Sequence, residues 1–138
     1  MAKVYLSPYI QNQKAVTAVT TAACATITGD TPTNTVLLLT AGAEGSLLTS
    51  LWAIPRATVT ASSLLLFLSN DGGTTLRLID SELMAAFTVA ATTAIPETKF
   101  ANYTETTPLR LAAGDSLYVG NQVALASGVV FKAEYTEF

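Results

Sequence analysis

The residues best placed to do chemistry are Gly114-Asp115-Ser116-Leu117. This tetrapeptide is a hydrolase signature in which the serine is the nucleophile. A serine hydroxyl needs a general base to take its proton, normally a histidine. The chain has no histidine. The signature also sits late in the sequence, inside an alternating β pattern rather than at the start of an α/β fold. Gly114 and Asp115 are therefore read as a structural turn. Asn70-Asp71-Gly72-Gly73 suggests a calcium loop, but calcium takes six or more oxygen ligands and no second carboxylate lies close by in sequence. Gly72 and Gly73 are read as turn residues too. Asp80 and Glu82 would share one face of a strand, yet nothing beside them marks an acid–base pair. No Gly-rich phosphate loop, Ser-x-x-Lys or Gly-x-Ser-x-Gly pattern occurs.

Two features remain. Trp52, with Tyr103 and Tyr118, could form a platform for a sugar, although a single tryptophan on an apolar strand also suits a core. Cys24 is the only cysteine, which excludes an intrachain disulfide and a multi-cysteine metal site. Set in Ala23-Cys24-Ala25, it reads as a small buried side chain. These residues imply no catalytic group, no metal and no cofactor, and hence a protein that is not an enzyme.

Composition narrows the class further. Half of the 138 residues are hydrophobic, only 12% are charged, and the net charge is −3. An average soluble domain is about one quarter charged. Here 22 residues are threonine, so hydroxyls must supply much of the polar surface. The seven basic residues are scattered, which disfavours nucleic acid as a partner. The longest apolar run, Leu64–Leu68, is far short of the roughly 20 residues of a membrane helix. The length suits one domain.

The elements that would position these residues are short strands between turns. Residues 15–28 are rich in Thr and Val, whose branched Cβ favours strands. Further strands are expected at Val36–Thr40, Leu47–Ile54 and Ser62–Leu68. The last is apolar on both faces, so one face should meet the core and the other a second sheet or a neighbouring subunit. In Thr74–Ile79, Leu76 and Leu78 should face inward. Residues 80–87 fit one helical turn or a broken strand, and 90–107 a long loop holding strand pieces. Pro108–Gly120 reads as a hairpin, with Leu109, Leu111, Leu117 and Val119 on its buried face and Ser116 pointing out. In Val129–Tyr135 the odd-numbered residues should be buried, with Val130, Lys132, Glu134 and Thr136 outside. The whole indicates an all-β antiparallel β-sandwich of jelly-roll type, spanning residues 14–138. Residues 1–13 precede it as an arm or edge segment. They carry Val4, Tyr5, Leu6, Tyr9 and Ile10, either as a first edge strand or as a contact surface for a partner.

From Gly42 to Phe138 the chain resembles small virion proteins of tailed bacteriophages and related gene-transfer particles. The likeness rests on Gly45-Ser46 leading into Leu47–Ile54, on Leu64–Leu68 with Asp71-Gly72-Gly73, on Pro108-Leu-Arg-Leu-Ala-Ala-Gly-Asp-Ser-Leu-Tyr-Val-Gly120, and on Gly128-Val-Val-Phe-Lys-Ala-Glu134. Leu111 to Val119 also looks like a hairpin of trimeric jelly rolls in the tumour-necrosis-factor class. The resemblance implies a non-enzymatic protein displayed on a particle: a capsid decoration or cement protein, or else a tail, baseplate or head-fibre component. A glycan-binding sandwich is a third expectation. The implied partners are further copies of the chain, as a homotrimer, and a major capsid or other virion protein. The implied location is the virion, assembled in the bacterial cytoplasm.

Overall fold

The computed structural model describes residues 12–138 and contains no helix among them. The described residues form nine strands in two antiparallel sheets. Sheet A joins β1 (Asn12–Thr20), β9 (Val129–Glu137) and β3 (Ser46–Pro55), with β6 (Thr98–Lys99) and β7 (Leu109–Leu111) along the outer edge of β3. Sheet B runs β2 (Val36–Thr40), β8 (Ser116–Asn121), β4 (Ser62–Ser69), β5 (Arg77–Met84). β7 pairs with Ser46–Leu48 and β6 with Trp52 and Ala53. They are thus two pieces of one interrupted edge strand. Counted so, the sandwich has eight strands in two four-strand sheets, and the chain changes sheet at every connection except β4 to β5. That is the jelly-roll order.

Period-two alternation builds the core. Phe131, Ala133, Leu48, Leu51 and Ala53 from sheet A meet Leu64, Leu66, Leu117 and Val119 from sheet B. Val129, Phe131, Ala133 and Tyr135 are all buried, as the alternation of β9 requires. Thr136 is buried as well, against the outward placement expected from that pattern.

The expected hairpin does not form. Leu109–Leu111 pairs with β3 in sheet A, whereas Ser116–Asn121 pairs with β2 and β4 in sheet B. The Ala112–Asp115 turn is a corner that carries the chain across the sandwich. Both strands still bury their alternate residues, because each faces the same core from an opposite side. The turn itself is as expected. Gly114 has φ +81°, a backbone region that glycine reaches without penalty, and Asp115 Oδ2 accepts the Ala112 amide at 3.0 Å. Ser116 is buried rather than outward, its hydroxyl 3.4 Å from that of Thr40.

Strand β4 is buried on both faces, as its sequence implied, but the second face is covered from within the chain. The β1–β2 connection crosses over it as a strap. Cys24 packs there with Leu65, Phe67 and Leu76, and Ile27 and Tyr118 close the cluster. The strap is fixed where the Cys24 amide donates to Asn121 O at 2.7 Å and the Leu76 amide donates to Asp30 O at 2.9 Å. No neighbouring subunit is needed to cover Leu65 and Phe67.

Strand β5 begins later than expected and runs through to Met84. The residues placed in a helical turn or broken strand are therefore largely strand. Leu78 is exposed instead of inward. A register shift between Leu66 and Phe67 puts Leu78 opposite Phe67, on the outer face of sheet B. Val4, Tyr5, Leu6, Tyr9 and Ile10 lie outside the described residues. Strand β1 already starts at Asn12, within the segment assigned to the arm.

Candidate functional site

The outer face of sheet A carries a groove whose side chains are set by strand register. Thr17, Lys132, Trp52 and Lys99 lie side by side across β1, β9, β3 and β6. Two residues along β9 lies Glu134, opposite Ala15 and Ser50, and beyond it Thr136, opposite Gln13 and Leu47. A bulge between Leu48 and Ser50 makes room for Thr49, whose hydroxyl donates to Glu134 O at 3.1 Å.

The interrupted edge strand forms the wall of this groove. Phe100 anchors it. Its amide donates to Leu51 O at 2.9 Å, and its ring is fully buried 6.4 Å from Phe131. The chain then loops out through Ala101–Thr107, where the Thr104 and Thr107 hydroxyls bond each other at 2.8 Å. One depression of about 480 Å³ lies between this wall and Trp52, and a second of about 350 Å³ lies toward Lys14 and Thr136. Thr49, Glu105 and Glu134 line both, so the two adjoin.

Trp52 is half-buried and lines the larger depression, so it is not a core residue. Lys132 Nζ lies 5.3 Å from the centre of its ring, a cation–π contact that orients the indole. Tyr103 lines the same depression, while its ring packs partly into the core. Burial, and then the nearby Asp80 carboxylate, push its hydroxyl pKa well above the ordinary tyrosine value. Tyr118 lies in sheet B, so the structure unites two of the three expected platform aromatics. Charges in the groove compensate each other: Lys14 with Glu137 at 2.8 Å, Lys99 with Glu97 at 3.5 Å, Lys132 with Glu134 at 4.0 Å. Glu105, on the wall, has no ion-pair partner among the described residues.

The remaining sequence candidates serve the fold. Asp71 Oδ1 accepts from the Thr75 amide and the Ser69 hydroxyl, both at 2.9 Å, which lowers its pKa. Asp71 thus closes the β4–β5 turn. Gly72 and Gly73 have φ +75° and +94°, and a side chain at Gly73 would strike the Tyr118 hydroxyl. Asp80 accepts from Asn102 at 3.3 Å and so ties β5 to the wall. Cys24 is free and buried, and burial raises its thiol pKa. No group of three or more metal-ligating side chains occurs among the described residues. The groove was not legible as a unit, because its walls come from four strands and a loop far apart in sequence. Only Trp52 and Tyr103 signalled it.

No family model matches this chain, and no curated protein matches it significantly. Among solved structures, a chain in the structure of infectious bursal disease virus, Gx strain, aligns over 99% of this chain. The alignment covers 45% of the viral chain, so this chain spans less than half its length. Identity is 11% and the TM-score 0.25, values at which the likeness assigns neither family nor role.

Proposed function

We propose that this chain is a non-enzymatic structural component of a virion, and specifically a decoration or cement protein on the head of a tailed phage. The observation that carries the reading is the apolar flank of sheet B. Leu78, Ile79 and Leu83 are exposed on β5, an edge strand, and Leu83 is 69% exposed. Leu37 is exposed on β2, the other edge of the sheet. Arg77, Asp80 and Glu82 give the same strand the charge that edge strands commonly carry, but large apolar side chains left exposed beside them suit a contact surface. The sequence resemblance to phage virion proteins supports the same role. In this reading β5 packs against other copies, as a trimer, and residues 1–11 reach a major capsid protein.

The test begins with electron microscopy of the parent particle, where density for this chain on the head is expected. Its absence from purified particles refutes the virion reading, and density on the tail refutes the head assignment. Light scattering should give a trimer in solution or on the target, and Leu83→Glu should weaken it. Deleting residues 1–11 leaves β1 whole, so the domain should stay folded while binding its particle at least about tenfold more weakly. Unchanged binding would move the contact to the sandwich itself.

A further inference from the structure

The groove on sheet A is separate from the apolar flank of sheet B and has a different chemistry. We propose that it binds a neutral oligosaccharide laid across β3 and β9, with the Trp52 indole as its stacking platform.

A sugar ring presents C–H faces and a rim of hydroxyls. Its recognition therefore requires an accessible aromatic face beside groups that donate and accept hydrogen bonds. Trp52 lines the larger depression with Lys132 over one face of its ring, so the sugar would stack on the opposite face. Glu97, Glu105 and Glu134 can accept hydrogen bonds from hydroxyls, Lys99 can donate, and Thr49 can do both. Two adjoining depressions favour a chain of sugar units over a single one. Each depression falls within or near the usual size range of ligand sites, about 300–1,000 Å³.

Charge balance selects the ligand class. Every lysine in the groove is already paired with a carboxylate, so no net positive field remains for a sulfated or sialylated glycan.

Trp52 is the only tryptophan, so indole fluorescence of the full chain reports on this groove alone. The experiment titrates the protein with neutral gluco-, manno- and galacto-oligosaccharides of two to eight units, alongside sulfated and sialylated counterparts. At least one neutral series should shift the Trp52 emission and protect it from acrylamide quenching, more strongly as length increases. Glu105→Ala, an exposed change that should not disturb folding, and Trp52→Ala should each weaken retention on the same immobilised glycan. For Trp52→Ala the loss should be about tenfold or more. Tyr118→Ala, in the other sheet, should not weaken it. Retention without any change at Trp52, retention of charged glycans only, or retention of none overturns the proposal. So does a Trp52 response to a synthetic peptide of residues 1–13 with none to glycans, since the groove would then be a protein contact.

Discussion

Gly114 and Gly128 look equivalent in sequence, each ending a turn before a strand, yet the structure predicts unequal costs for alanine. Their backbones are nearly the same, φ +81° and +83°. A left-handed backbone costs an ordinary residue roughly 1–2 kcal/mol. At Gly114 nothing lies within 4 Å of a new Cβ, so strain acts alone and the loss should be about 1 kcal/mol. At Gly128 the same Cβ would lie 2.7 Å from Thr20 O and 2.9 Å from Thr21 Cγ2. The obstruction is partly backbone, held at the end of β1, and cannot swing aside. Overpacking of this kind adds about 1–3 kcal/mol, giving a total near 3 kcal/mol. For a chain of this length about 1 kcal/mol shifts Tm by about 3 °C. Gly114→Ala should therefore fall by about 3 °C and Gly128→Ala by about 10 °C. Urea titration followed by Trp52 fluorescence, with thermal melts by circular dichroism, measures both. Equal losses, or a Gly128→Ala protein as stable as Gly114→Ala, would refute the assignment of the extra cost to the β1 contact.

Four further outcomes follow from the side-chain environments. Cys24 should resist thiol reagents until denaturant opens the strap, and Cys24→Ala should cost about 1 kcal/mol; immediate labelling of native protein would contradict its burial. Asp71 has a folded-state pKa held below the ordinary carboxylate value by the Thr75 amide and Ser69 hydroxyl. Its contribution is present above that ordinary value and is lost as pH falls through the lower folded one, so the stability gap between wild type and Asp71→Asn should narrow from pH 7 to pH 3 in denaturant titrations. Phe100→Ala should cost about 3–5 kcal/mol and raise protease cleavage within Ala101–Thr107, because Phe100 anchors the groove wall. Ser116→Ala should cost only about 1 kcal/mol in urea titration, whereas Ser116→Leu should disrupt pairing of β8 with β2, since the site is closed.

Local pattern located most strands but could not choose their partners. The alternation in Val129–Tyr135 correctly marked its buried face, because one face of β9 meets the core. In 108–120 the alternation was equally sound, yet a two-sheet corner and a hairpin bury the same residues, and only the ladder distinguishes them. Ser116 and Thr136 broke the polar-out rule: both are buried on inner strands, Ser116 beside Thr40 and Thr136 between Gln13 and Leu47. Leu78 was misplaced by a one-residue register shift, which period-two reasoning cannot foresee. The doubly apolar Leu64–Leu68 announced two covered faces without naming the cover, which is the strap through Cys24. Trp52 was visible as a candidate, but the wall that makes its groove depends on Phe100 reaching the core from a threonine-rich stretch with no periodicity.

Strand order also governs how the molecule can be made. β9 is hydrogen-bonded to both β1 and β3 and occupies the middle of sheet A. On the ribosome, β1 is synthesised over 100 residues before the strand that will pair with it. At about 5–20 residues per second, β1 and β3 wait several seconds, each with an open edge, before Val129–Glu137 emerges to join them. Sheet A therefore cannot close until β9 has emerged. A nascent or truncated chain lacking β9 would leave both strands free to pair with other chains.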